Sequence, residues 1–452
     1  MKASCRLIDD RMRASSSVAL EAARLLGMRV DRRRFPGDGS YADLNADASL
    51  IAIGFDLRHL SPSAQSQLKT RVTEGATLHV RGGAGLGQPW PFAPFADGQL
   101  MVSRTIIAAG YRLTDHPRLP VLLRNEERVA AFRTPVALDP PIVAEPLLLA
   151  RGADGIERPT IFLVRTGNGV VIYDLAPDAP ADNRTTLAML EDPAGLPAAP
   201  GALAAANIAW GLGAAESHFN LVIDDRPANF DYFNCSRMFA FLRHLEDNFP
   251  GTHVDFAWTP DQSHPSHRYV AAMKSFRAGF VWHGLRRHVD HRPIADLSAE
   301  FGAGRYLVEQ VSSAYGVRFQ PVMIFPFERD TPRCVEFLQD QGFVAKAQTP
   351  AEHAAEASEQ PAPETARDRF VVLERFPMRR LTRDRMLALA VLGLPIIAAA
   401  HPPDIGLVRL VSLRPQARGS FAHFDPVLRF AAEKHLQPAS LEELAHRAIA
   451  RG

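Results

Sequence analysis

The chain alternates between apolar runs of strand length and longer stretches with helical apolar spacing, and the alternation changes character along its length. Residues 16–30, "SSVALEAARLLGMRV", place apolar side chains at helical intervals, and "SLIAIGFD" (49–56) reads as a buried strand. "SPSAQSQLKTRVTEG" (61–75) predicts a helix capped by Ser61 and ended by Gly75, and "ATLHVRGG" (76–83) a further strand. Strand and helix in turn predict a parallel sheet. From about Ile106 to Leu175 the pattern shifts to short β segments, with a hairpin signal at "TGNG" (166–169).

Alanine, proline and glycine then dominate "LAPDAPADN" and "EDPAGLPAAPGALAAAN", so a domain boundary is expected near 195–212. Beyond it lie seven apolar runs: "FNLVID", "THVDFAW", "AGFVWH", "FQPVMIFP", "GFVAKA", "RFVVLERF" and "PIIAAAH". Helical stretches separate most of them, which predicts a barrel of parallel strands. Residues 351–369, rich in Ala, Glu and Pro, read as an exposed loop, and "SLEE" opens a last helix with Ser440 and Glu443 spaced as a capping box. The expected division is an accessory α/β domain over 1–195 and a barrel over 212–452.

Composition narrows the function classes. A chain of 452 residues exceeds one ordinary core, and its formal net charge of +1 gives no field for nucleic acid or an anionic membrane. Cys5, Cys235 and Cys334 are too few and too scattered for a disulfide framework or a zinc finger. Asp9 and Asp10 fall where a secretory leader needs its apolar core, so a cytoplasmic location is expected. Met386 to Ala400 is interrupted by Gly393 and Pro395 and reads as helix, turn and buried strand. The glycines of "RGGAGLG" (81–87) match no phosphate-loop spacing and read as a turn.

Candidate chemistry sits at the ends of the barrel strands. Asp224 and Asp225 close the first, His283 the third and His401 the last, and half of the 16 histidines lie between His218 and His291. Two adjacent carboxylates at a buried strand end repel, and a divalent metal held by one Asp and two His relieves that repulsion. The other Asp then serves as a base toward a water, and His401 as an acid toward a leaving group. His264 and His267 read as surface residues near a helix start. Tyr232, Phe233, Trp258 and Trp282 are aromatic candidates for stacking on a sugar, with Trp258 and Trp282 equally readable as core.

The order of these motifs resembles the polysaccharide deacetylase family, the NodB homology or carbohydrate esterase 4 type, from about Phe219 to the C-terminus. "VIDDRP" looks like its TFDD motif, which implies Asp224 as base and Asp225 as metal ligand. "VWHGLRRH" is similar to HSxxH, implying His283 as ligand, with the second ligand either His288, brought in by a one-residue bulge, or His291. "IFPFERD" is similar to RxPYG, in which a backbone N–H after the proline holds the oxyanion. Pro326 and Phe327 fit, while Ile324 stands in the place of the base-orienting arginine and Glu328 in that of the glycine. Arg375 is the candidate replacement, and "IIAAAHPPD" implies His401 as acid.

The resemblance implies a distorted (β/α)7 barrel and a divalent metal, with zinc the first choice. It also implies removal of acetyl groups from N-acetylated saccharides. The alternatives are a catalytically inactive barrel that binds glycans or acts as a scaffold, or a hydrolase of small cyclic amides or ureides. The N-terminal part is similar, more weakly, to flavodoxin-type glutamine amidotransferase-like (ThuA-like) domains. It has no cysteine at a strand-to-helix turn to act as nucleophile, which implies an accessory role in carbohydrate binding, docking or homo-oligomer formation.

Overall fold

The computed structural model of the chain describes residues 4–9, 29–34, 49–53, 60–80, 103–119, 124–138, 143–175, 217–224, 232–262, 267–276, 278–349, 370–391, 394–401 and 421–451. Residues 16–28 of the expected helix, the glycine run 81–87 and the segment 351–369 lie outside them, while Arg29 and Val30, placed at the end of that helix by their spacing, open a strand instead. So do Asp225, His264 and the side chains of Tyr232, Phe233 and His267. The chain divides into two compact units, Met1–Ala215 with Leu387–Gly393, and Glu216–Met386 with Leu394–Gly452.

In the first unit, β1 (Ser4–Asp9), β2 (Arg29–Arg34), β3 (Leu50–Ile53) and β4 (Thr77–Val80) pair in parallel in the order β2-β1-β3-β4. Helix α1 (Pro62–Thr73) connects β3 to β4. Its N-terminus is capped by Ser61, whose Oγ accepts from the Ala64 N–H at 3.2 Å, and Gly75 follows at φ 125°. Antiparallel strands then continue the same sheet: β5 (Ser103–Leu113), β6 (Glu127–Ala137), β7 (Glu145–Gly152), β8 (Glu157–Thr166) and β9 (Gly169–Asp174). β9 joins the halves, parallel to β4 on one side and antiparallel to β8 on the other. The parallel part has the flavodoxin-like order 2-1-3-4-5 with β9 in fifth place. Leu68 and Val72 of α1 pack with Leu78, Phe162, Val171 and Tyr173 of the sheet.

The second unit is a nearly closed, all-parallel barrel. Its strands are β10 (His218–Ile223), β11 (Val254–Trp258), β12 (Gly279–His283), β13 (Phe319–Ile324), β14 (Ala345–Gln348), β15 (Val371–Glu374), β16 (Phe376–Pro377) and β17 (Ile396–Ala400). Their order is β15-β14-β13-β12-β11-β10-β17-β16. The two end strands, β15 and β16, are separated in the chain by Arg375 alone, so the seam of the barrel is a single residue.

Helices α2 (Tyr232–Asn248), α3 (His267–Ser275), α4 (Leu297–Tyr315) and α5 (Pro332–Asp340) connect successive strands, and α6 (Arg383–Val391) precedes β17. α7 (Asp425–Glu433) and α8 (Leu441–Arg451) follow it. Among the described residues no helix is long and apolar enough to cross a membrane.

Alternation along the strands sorts the core. Val222, Ala257, Val281, Val322, Ala345, Leu373 and Ile397 form one cluster, which also takes in Leu441, Leu444 and Ala445 of α8. Trp282 and Met323, one residue out of phase, pack instead with Leu297, Phe301 and Val308 of α4 and Leu338 of α5. Trp258 and Trp282 are buried among other aromatic rings and belong to the core.

The end of the barrel remote from the strand C-termini is closed by α8. Its capping box forms as the sequence predicts: the Ser440 N–H donates to Glu443 Oε2 at 2.8 Å, and the Glu443 N–H to Ser440 Oγ at 3.2 Å. The Asp255 carboxylate lies beneath, fully buried. It accepts from Leu441 N (2.9 Å), Asn220 Nδ2 (2.8 Å), Gln320 Nε2 (2.5 Å) and His253 Nε2 (3.1 Å).

Candidate active site

Period-two geometry delivers the polar residues to the barrel mouth. Asp224 stands two residues beyond Val222, His283 two beyond Val281, Arg375 two beyond Leu373 and His401 four beyond Ile397, all four reference residues in the inner core cluster. Each therefore continues the inward face of its strand at the C-terminal end, where barrel enzymes carry their chemistry.

Asp224 is 1% exposed. Its backbone N–H donates to the Ala400 carbonyl at 2.8 Å, extending the β10–β17 pairing, and its Oδ2 accepts from Arg375 Nη1. His401, half exposed, brings Nε2 to 3.9 Å from the same oxygen. Asp224 Oδ1 is buried with no hydrogen-bond partner among the described residues. Arg375 is itself buried and divides its fork, with Nη2 donating to Glu328 Oε1 at 2.5 Å. Burial works against the guanidinium charge, but Asp224 and Glu328 more than offset it and hold the pKa above the ordinary arginine value.

His283 is held by its neighbour strand β13. Its Nδ1 faces the Ile324 carbonyl at 3.2 Å, and a carbonyl only accepts, so the proton sits on Nδ1 and the lone pair on Nε2. The pairing that allows this is irregular. Val281 is opposite Gln320, but Trp282 is opposite Met323, so β13 carries two extra residues, Pro321 and Val322. Proline has no N–H to give to the ladder, which is the physical reason for a bulge there.

Gly284 then turns the chain at φ 82°, where a Cβ would come within 2.7 Å of the Arg287 carbonyl oxygen. That conformation explains a glycine at this position. The loop brings the His288 ring to 5.0 Å from that of His283. His291 is buried and otherwise engaged: its Nε2 accepts from the Leu285 N–H at 3.0 Å, and burial pushes its pKa down to about 4.

After β13 the chain makes a strained turn, Pro326–Glu328. Phe327 (φ 61°) and Glu328 (φ 56°) are both left-handed, although neither is glycine. The Phe327 ring meets the His288 ring edge to face at 4.8 Å, and Glu328 Oε1 also accepts from Thr349 Oγ1 at 3.1 Å. Glu328 as a partner of Arg375, and Phe327 as an exposed ring beside His288, were not expected from sequence. The one signal in the sequence was Glu328, which stands where the RxPYG pattern that the segment resembles has a glycine.

Whether a divalent metal fits can be judged on two ligands. The Nδ1–H tautomer of His283 and the neighbouring His288 ring suit a cation with imidazole ligands. No group of three or more His, Cys, Asp or Glu among the described residues is arranged to hold a metal, and Asp225 lies outside those residues.

No family model and no curated protein matches this chain. Among solved structures, the carbohydrate deacetylase Agd3 shares the fold over 99% of this chain and 87% of its own, with a TM-score of 0.63 at 11% identity. A family 4 carbohydrate esterase from Streptomyces lividans covers 50% of this chain and 94% of its own (TM-score 0.32, 11% identity). A ThuA-like protein from Parabacteroides merdae covers 46% and 90% (TM-score 0.31, 15% identity). The two-domain architecture of the chain is thus that of a known carbohydrate deacetylase, at the level of fold.

Proposed function

We propose that the barrel hydrolyses the C–N bond of an amide, removing the acetyl group from an N-acetylated saccharide. Asp224 is the base, His401 the acid, and Asp225, His283 and His288 hold a divalent metal, zinc being the natural choice for this ligand set. The observation that carries the reading is the buried Asp224 carboxylate, bonded to Arg375 and 3.9 Å from His401 Nε2 at the mouth of the barrel. The fold shared with a carbohydrate deacetylase over nearly the whole chain supports the substrate class.

The chain's own groups divide the work. Arg375 balances and aims the Asp224 carboxylate, so that a free lone pair can take a proton from the attacking water. His401, half exposed beside it, donates a proton to the departing nitrogen. The Phe327 N–H, after Pro326, is the donor to the carbonyl oxygen as negative charge develops there. When bound, the metal supplies carbonyl polarisation and acidifies the water. Residues 1–195 take an accessory role.

The test is metal analysis by inductively coupled plasma mass spectrometry on wild type, His283→Ala and Asp224→Asn, followed by acetate release from N-acetylated chitooligosaccharides. Wild type and Asp224→Asn are expected to hold about one transition metal per chain and His283→Ala far less, with acetate release lost in both variants. A chain that stays metal-free after incubation with zinc or cobalt would remove the hydrolytic reading and leave the barrel as a glycan-binding module.

A further inference from the structure

Phe327 is 62% exposed in a backbone conformation that disfavours any side chain with a Cβ. Neither solvent exclusion nor backbone preference accounts for where its ring stands. What holds it is the next residue. The Glu328 carboxylate is drawn inward by Arg375 (2.5 Å) and Thr349 (3.1 Å), which anchors the turn from inside the barrel mouth. On the outer side the phenyl ring stands nearly perpendicular to that of His288 and leaves most of its surface open to solvent. Strain held in place by surrounding bonds, next to the groups assigned to the chemistry, marks a conformation kept for binding. Trp258 and Trp282 do not offer this surface, because only 2% and 6% of each is exposed.

We infer that Phe327 is a substrate platform, its phenyl face stacking on the apolar C–H face of a pyranose ring beside His288. The inference rests on the saccharide reading above and adds where the sugar is gripped. A strained turn suits such a platform, because the ring is held out in advance and no side-chain or backbone ordering is left to oppose binding.

Isothermal titration with triacetylchitotriose tests it, in an Asp224→Asn background that prevents turnover and with metal content measured in parallel. Phe327→Ala is expected to weaken binding about tenfold and Phe327→Tyr to stay within about twofold of the parent, with metal content equal in all three. Equal affinity of parent and Phe327→Ala, or no binding by the parent, overturns the platform. So does a parallel loss of metal in Phe327→Ala, which would make the ring a support for His288. If the wild type releases no acetate yet binding depends on the ring, the hydrolytic reading falls and the platform stands.

Discussion

Arg375 and Asp224, 151 residues apart in the sequence, meet as a buried ion pair two strands apart at the barrel mouth. Removing the cation leaves the buried Asp224 carboxylate without the guanidinium that balances it. Arg375→Leu should lower the unfolding free energy by about 3–5 kcal/mol. Arg375→Lys should recover only part of it, since one ammonium cannot serve Asp224 and Glu328 as the two arms of a guanidinium do. Urea unfolding of the two variants checks this, and an unchanged midpoint for Arg375→Leu would make the pair energetically idle.

His288 and His291 should separate cleanly. His288→Ala is expected to lose most of the bound metal with little change in folding. His291→Ala should keep the metal but fold less stably by about 1–3 kcal/mol, because the buried Leu285 N–H loses its acceptor. Metal analysis beside thermal melting gives both readings, and the opposite pattern would exchange the two roles.

The same His291 sets an acid limit. Its pKa lies at about 4 in the folded chain against an ordinary 6.5, so between those values the unfolded chain binds a proton that the folded one refuses. The stability from this site is whole above pH 6.5 and declines as the pH falls toward 4, by about 3 kcal/mol at most. His291→Gln, which keeps an acceptor, should flatten that part of the stability profile. A slope identical to wild type between pH 6.5 and 4 would assign the acid sensitivity elsewhere.

Phe327→Gly should stabilise the protein. The substitution loses little buried area and relieves a left-handed Cβ, a gain of about 1 kcal/mol. Differential scanning calorimetry should show a higher melting temperature, and a lower one would mean that the ring packs more than its exposure implies.

At the closed end of the barrel, Asp255→Asn exchanges an acceptor of four hydrogen bonds for a group that must donate with one arm. The Leu441 N–H at the start of α8 then competes for what remains. Hydrogen exchange should quicken selectively across Leu441–Arg451. Uniform exchange throughout the barrel would mean that α8 is not held locally.

Much of this fold can be read along the chain. Seven apolar runs become the barrel because buried parallel strands are apolar on both faces, and a capping box such as Ser440 with Glu443 is decided within four residues. The inward placement of Asp224, His283 and His401 follows from the same alternation. What escapes sequence is pairing between distant parts. Nothing local says that β9 borders β4, or that Glu328 and Asp224 share one arginine. Equally hidden is the engagement of His291, whose Nε2 accepts from the Leu285 N–H beyond the Gly284 turn.

The seam at Arg375 ties assembly to chemistry. The residue that joins the first and last strands of the ring also carries the charge that balances Asp224. A chain whose ring has not yet shut leaves its carboxylate unmatched and its left-handed turn without an anchor. The covalent link between the two edge strands and the charge opposite Asp224 are thus carried by one residue.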